Sequence, residues 1–278
     1  MSAQTIPAQS VGSSAWLEPI RGDGAPHAES EGVGGVREFK AEGVTLLLAD
    51  CRELPRIEAD AVISDPPYGM NLDTDNSRFS GGNTASIARR GNGIGTGEGK
   101  GIIGDNEPFD PSPWLNYPAV ALFGANHYAA RLPVGTTLVW LKRHDAGFGS
   151  FLSDAEIAWV KGGCGVYAKR DLSMNGEALT RCHPCQKPVA LMAWVMERAK
   201  VPVGATVLDP YMGSGSTAIA CIRTGRKFIG VERDQTHFQN AVQRVRAELA
   251  QGVLPLGGGG GFLPLTPSPE QPRLGSNV

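Results

Sequence analysis

The sequence predicts an α/β fold built on a doubly wound, mostly parallel sheet. Three observations lead there. Short apolar runs of strand length recur along the chain, several end in an acid or a turn, and helical periodicity fills the later gaps between them. The 278 residues allow one large α/β domain with a substantial core, or two small ones.

Residues 1–36 are rich in Gly, Ser, Ala and Pro and show no hydrophobic period, so they read as a disordered tail. VTLLLAD (Val44 to Asp50) reads as a strand ending in an acid, with a short helical stretch after it. DAVISD (Asp60 to Asp65) reads as a second strand; both runs suit parallel strands covered on both faces. Residues 71–105 form a long loop containing ARRGNGIGTGEGKG, and a loop this long inside a domain is usually functional or mobile. PAVALFGAN, TLVWLK and AEIAWVK (from Pro118, Thr137 and Ala155) read as three further strands.

A helix is expected from about Val189 to Lys200, with Pro188 in its first turn and an apolar stripe of Leu191, Trp194, Val195 and Met196. ATVLDP (Ala205 to Pro210) is the next strand, STAIACIRTG the next helix with Gly225 ending it, and KFIGVE (Lys227 to Glu232) the last strand. Phe238, Ala241, Val242, Val245 and Leu249 recur at helical spacing in a final amphipathic helix. From residue 252 on, the Gly/Pro-rich stretch with its GGGGG run reads as a second disordered tail. The domain is thus expected over 37–251.

The formal net charge of −2 gives no overall push toward nucleic acid, so any DNA contact must come from local basic patches. Three small ones stand out: Arg89, Arg90 and Lys100 in the long loop; Lys142, Arg143 and His144; and Lys169, Arg170 with Arg181. No apolar run is long enough to span a bilayer and the N-terminus lacks a signal-peptide pattern, which makes a cytoplasmic location the expectation. Five scattered cysteines form no disulfide framework.

Two motifs carry chemistry. LDPYMGSGSTA (Leu208 to Ala218) joins a strand to a helix, and Gly213, Gly215 and Ala218 fit a G-x-G-x-x-A spacing. Small residues let a ligand approach the backbone, and Glu232 at the end of the next strand can accept hydrogen bonds from both hydroxyls of a ribose. That pattern also fits a dinucleotide enzyme, or a plain strand–helix turn. Asp209, ahead of the glycines, would repel a phosphate and welcome an ammonium or hydroxyl, which favours a nucleoside without pyrophosphate.

ISDPPYG (Ile63 to Gly69) is more specific. Pro66 and Pro67 remove two backbone donors, leaving carbonyls without ladder partners beside the Asp65 carboxylate. An exocyclic amino group has two N–H donors; Asp65 could take one and the Pro66 carbonyl the other. Tyr68 offers a flat face for a base, a contact worth about 1–3 kcal/mol in nucleic-acid sites. The competing reading is a proline turn with a packed tyrosine.

DPPYG, HPCQKP, LDPYMGSGST and GVERD, in that order, resemble the S-adenosylmethionine-dependent amino-methyltransferases of DNA, in the permuted β-class arrangement where the catalytic half precedes the cofactor half. The resemblance covers roughly residues 40–250. It implies a Rossmann-like, circularly permuted methyltransferase fold with a catalytic half at about 40–180 and a cofactor half at about 181–251. It implies that Asp65, Pro66, Pro67 and Tyr68 hold the target amino group and its base. Asp209, Gly213 and Gly215 would cradle the methionine part of S-adenosyl-L-methionine, with Ser214 and Thr217 nearby. Glu232 would hold the ribose, Asp50 would read the adenine, and His183 and Lys187 would lie near the cofactor carboxylate.

The activity implied is methyl transfer to an amino group of double-stranded DNA, with the base flipped out, no metal and no membrane partner. Relatives acting on cytosine N4 more often carry Ser where Asp65 stands, so Asp65 favours N6 of adenine. Other readings are an amino-methyltransferase of RNA or protein, a dinucleotide oxidoreductase that leaves DPPY idle, and a silent DNA-binding module. The CHPC segment (Cys182 to Cys185), with Cys164, could bind zinc, but it lacks a second C-x-x-C pair. The stretch from 70 to 182 holds sheet strands and leaves little for a separate recognition domain. The recognition sequence and oligomeric state, a homodimer included, stay open.

Overall fold

The structure is a computed structural model describing residues 28–31, 36–70, 104–149, 153–172 and 186–252. The tails 1–27 and 253–278, the loop 71–103, His183, Cys182 and Cys185 lie outside the described residues.

Nine strands form one sheet: β1 (Ala28–Glu31), β2 (Arg37–Ala41), β3 (Val44–Leu48), β4 (Ala61–Ser64), β5 (Ala119–Phe123), β6 (Gly135–Leu141), β7 (Ala155–Arg170), β8 (Thr206–Asp209) and β9 (Lys227–Glu232). Their spatial order is β1-β2-β3-β9-β8-β4-β5-β7-β6. The middle five, β3-β9-β8-β4-β5, are mutually parallel. The sheet is therefore mostly parallel, as expected, and β4, which carries DPPY, lies beside β8, which carries the glycine loop. The strand that leads into DPPY precedes the glycine-loop strand in sequence.

Antiparallel pairs flank this centre, β1 with β2, β2 with β3 and β5 with β7. β2 returns into β3 through Glu42 and Gly43, and Gly43 has φ +68, a conformation that costs glycine nothing. β1 pairs with β2, so residues 28–31, expected in a disordered tail, form a strand whose backbone completes the β2 ladder. At the other margin β7 is longer than expected and embraces β6. Thr136–Leu141 register against Val160–Ala155 in one arm, and Thr137–Leu141 against Val166–Arg170 in the other. Gly162 and Gly163, at φ +80 and +69, let the chain turn between the arms.

Three α-helices are described: α1 (Val189–Arg198), α2 (Ser216–Arg223) and α3 (Gln235–Gly252). All pack on one face, where Leu191, Val195, Ile219, Phe238 and Val245 meet Leu46, Ile63, Phe123 and Phe228. The expected stripe of α1 is corrected in one place: Met192 is buried, while Trp194 is half-buried beneath Lys169 and Arg198. Pro188 is the N-cap of α1 and not its first turn; its carbonyl accepts from Leu191 and Met192. Gly225, at φ +67, ends α2 as read from the sequence.

The opposite face has no α-helix among the described residues. Leu54, Ile57, Phe109, Trp114, Tyr117 and Tyr128, from loops and turns, cover Val62, Val120, Leu208 and Val231 there. The helix expected after Asp50 is a set of turns, because Pro55 offers no amide hydrogen to continue one. No described helix is long and apolar enough to cross a membrane.

Candidate active site

The C-terminal ends of β3, β4, β8 and β9 open on one cavity of about 1470 Å³. It is lined at one end by Asp50, Tyr211, Gly213 and Glu232, and at the other by Asp65, Pro66, Pro67, Tyr68 and Lys187. Open parallel sheets bind ligands at this edge, since adjacent strands deliver side chains to one place.

The glycine loop is held by its own carboxylates. Asp209 is buried and accepts from Ser64 Oγ and Thr217 Oγ1, both at 2.6 Å, and from the Tyr211 amide at 3.2 Å. Burial raises its pKa to about 6 against the opposing pull of those three bonds. Asp209 and Thr217 are thus tied to each other and to β4. Ser214 is buried too, and the Arg244 guanidinium donates to its carbonyl at 2.5 Å and its Oγ at 3.0 Å. Glu232 accepts from the amides of Gly213, at 2.9 Å, and Asp234, at 2.8 Å. Each of its oxygens keeps a second lone pair for a ligand hydroxyl. Gly215, at φ +78, caps α2. Gly230 admits Met212, whose Sδ would lie 2.4 Å from a Cβ there, so this glycine matters as well.

Asp50 stands at the rim. Arg52 donates to it at 2.6 to 3.2 Å, and Arg233 lies 3.5 Å away. The hydrogen bond from Arg52 brings its carboxyl to about 2 despite partial burial. Cys51, Trp114 and Tyr211 line the cavity nearby, and burial pushes the Cys51 thiol to about 11.

The DPPY end is charged. Asp65 accepts from the Tyr68 hydroxyl on Oδ1 and from Lys187 Nζ on Oδ2. Burial raises the Asp65 pKa and Lys187 opposes the rise. Burial raises the Tyr68 pKa far above the usual phenol value, so the hydroxyl stays protonated and donates. Lys187 is only 7% exposed and lies between Asp65 and Glu156, the latter at 3.1 Å. Burial works against its charge, yet Asp65 and Glu156 outweigh that cost and hold the ammonium pKa well above the free value. Lys187 was expected near the cofactor carboxylate; its first partner in the structure is the DPPY acid.

The Tyr68 ring packs over Gly124 and stacks on His127, with centroids 5.0 Å apart and planes 10° from parallel. A Cβ on Gly124 would meet the ring at 2.0 Å, and φ there is +70. Gly69 is equally constrained: φ is +80 and a Cβ would meet the Glu107 carbonyl at 2.5 Å. Asp105 fixes the turn by accepting from the amides of Gly69, at 2.8 Å, and Met70, at 3.2 Å.

The structure thus brings Asp50, Asp65 to Tyr68, Lys187, Asp209, Gly213, Ser214, Thr217 and Glu232 to the wall of one cavity, with Gly215 behind it at the start of α2. Sequence reasoning missed Ser64, Asp105, Gly124, His127 and Glu156. Gly124 could have been found, since a glycine ending an apolar strand signals a close approach; Glu156 lies inside a strand run with no motif around it. The basic patch at 142–144 also reads differently, because Lys142 is paired with Glu156 at 2.9 Å. No group of three or more possible metal-ligating side chains occurs among the described residues.

Residues 137–243 match the family model described as DNA methylase, the N6/N4 type. That stretch holds HPCQKP, LDPYMGSGST and GVERD, so the resemblance carried by those motifs is borne out there. The chain is 38% identical over 66 residues to the type II methyltransferase M2.DpnII of Streptococcus pneumoniae, 24% of each chain. The chain spans only about a quarter of the length of the curated relatives it matches. Among solved structures, the M1.HpyAVI–SAM complex is similar with a TM-score of 0.46 and 22% identity, covering 72% of this chain and 99% of that one. The cytosine-N4-specific PvuII DNA methyltransferase is similar with a TM-score of 0.42 and 11% identity, covering 75% and 92%.

Proposed function

With a DNA methylase stretch over 137–243 as the premise, we propose that this protein transfers a methyl group from S-adenosylmethionine to an exocyclic amino group of double-stranded DNA, N6 of adenine by preference. One observation carries the reading. The Asp65-Pro66-Pro67-Tyr68 turn and the Gly213–Glu232 loop share one cavity, on adjacent parallel strands.

The residues suit that cofactor. The cavity is large enough for a nucleoside and a base together, and Glu232, Asp50 and the backbone of Gly213 supply acceptors and a donor for ribose, adenine and amino-acid parts. Glu232 would accept from the ribose hydroxyls and Asp50 from the adenine amino group. Asp209 would act mainly through the loop it holds, since Ser64 and Thr217 occupy its oxygens. When bound, the cofactor supplies an electrophilic methyl on a sulfonium.

At the other end, Asp65 and the Pro66 carbonyl would accept the two hydrogens of the amino group and turn its lone pair toward the methyl. As the amino nitrogen takes the methyl group it would shed a proton, and Asp65 would accept it. Its raised pKa makes it a better proton acceptor than a surface carboxylate. Tyr68, backed by His127, would stack on the base after it leaves the duplex.

The test offers labelled S-adenosylmethionine with duplex DNA, RNA and protein as acceptors, followed by digestion to nucleosides and mass spectrometry. The expected product is N6-methyladenine. N4-methylcytosine would keep the mechanism and change the base. Label in RNA or protein alone would overturn the substrate.

A further inference from the structure

Two acids and two amines alternate in a row that runs from the surface to the DPPY turn. Lys142 lies 2.9 Å from Glu156, Glu156 lies 3.1 Å from Lys187, and Lys187 bonds to Asp65. Exposure falls inward along the amines, from 28% at Lys142 to 7% at Lys187. Glu156 sits on the first arm of β7, opposite Trp140 of β6, so the sheet fixes where its carboxylate points. The embrace of β6 by β7 is what delivers both Lys142 and Glu156 to this end.

We infer that Glu156 is a positioning residue for methyl transfer: it clamps Lys187 between two carboxylates, so that Asp65 is oriented by the lysine without being fully neutralised by it. The inference rests on the function proposed above. An ammonium has three donors and no acceptor, so a buried lysine goes wherever its carboxylates are. With Glu156 in place the lysine charge is divided. Without it, Lys187 would give its whole charge to Asp65, and the acid would lose affinity for the amino proton.

The groups facing Asp65 are Lys187, Glu156, Tyr68, Tyr128 and Asp209; Lys142 acts on Glu156. Burial opposes ionisation of Glu156, but Lys187 and Lys142 prevail and bring it to about 2, so it is an anion throughout the working range. Tyr68 and Tyr128 are both pushed upward by burial and stay neutral. Glu156 therefore supplies Lys187 with a second negative charge beside that of Asp65.

The experiment compares wild type, Glu156→Gln and Glu156→Asp on full-length protein. It measures the pH profile of kcat for methyl transfer to duplex DNA, the KM for S-adenosylmethionine, and the NMR titration of Lys187 in lysine-labelled protein assigned with Lys187→Arg. For Glu156→Gln, kcat should fall on the order of 10- to 100-fold, as for a misplaced reacting group. Its acid limb should move to lower pH, because Asp65 becomes the weaker base. KM for the cofactor should stay within about twofold, Glu156→Asp should restore part of the rate, and the Lys187 midpoint should drop. A rate loss that only tracks lost folded protein, with an unmoved acid limb, would reduce Glu156 to a structural role and overturn the inference. If wild type methylates no DNA, the proposed function fails, and the Lys187 titration still decides the clamp: an unmoved midpoint refutes it.

Discussion

β4 and β8 lie side by side and each leads into an acid, yet the two acids are settled in opposite ways. Asp209 is surrounded by neutral donors, Ser64, Thr217 and the Tyr211 amide, which spread over both oxygens. Asp65, which directly follows Ser64, meets a cation and a phenol. Neutral donors fix a loop without adding charge, and they leave the carboxyl with a pKa near 6. At Asp65 burial raises the pKa as well, and the Lys187 ammonium opposes the rise with a full charge that the neutral donors lack. The first arrangement fixes the glycine loop, the second sets the charged turn proposed above as the reacting end, and Ser64, which precedes Asp65 and bonds to Asp209, joins the two.

Breaking the charged end should cost most. Asp65→Ala is expected to lower methyl transfer by at least about 10²-fold, the size of a lost acid–base group, while cofactor affinity by calorimetry is unchanged. Equal turnover in the variant would remove Asp65 from the reaction. Next comes Gly124→Ala, whose Cβ would strike the Tyr68 ring. Turnover should drop roughly 10- to 100-fold through displacement of that ring, with far-ultraviolet circular dichroism preserved.

At the cradle the losses should appear in binding. Glu232→Ala should weaken the cofactor by about 1–3 kcal/mol, read as Kd by calorimetry, because a buried ligand hydroxyl loses its partner. The smallest effect on turnover is expected from Asp209→Asn, which sharpens the comparison through pH. The folded protein holds the Asp209 proton more tightly than the unfolded chain, with a pKa raised from 3.8 to about 6. The stability this gives is fully present below about pH 4 and lost as pH rises through about 6. Denaturation across pH 4 to 7 should therefore show wild type losing stability relative to Asp209→Asn as pH rises. A constant difference would contradict the buried, proton-binding environment of Asp209.

The sheet was largely legible because its strands are short apolar runs separated by turn residues. VTLLLAD, DAVISD and KFIGVE align as adjacent parallel strands, or one strand apart, once the order is known. The hairpin margin was not, since β1 and β2 are short polar strands, β1 at the edge and β2 beside it, whose pairing depends on backbone bonds and leaves no hydrophobic period. The glycine loop and DPPY were legible because each concentrates several unusual residues in a few positions. Glu156 was not, because an acid in AEIAWVK looks like one solvent-facing position of an alternating strand. Only the meeting of β7 with Lys187, from a segment some thirty residues later, gives it meaning. Lys187 was noticed through its motif, and the structure adds the carboxylates of Asp65 and Glu156 as its partners.

The central claim is that the cradle and the reacting turn serve one ligand pair. The structure of the protein with S-adenosylmethionine bound tests it most directly. The account predicts ribose hydroxyls on Glu232, adenine beside Asp50, and the sulfonium methyl aimed at the space bounded by Asp65 and the Pro66 carbonyl, close enough for an amino nitrogen held there to lie about 3–3.5 Å from the methyl carbon. A cofactor seated away from Glu232, or a methyl turned away from Asp65, would contradict it.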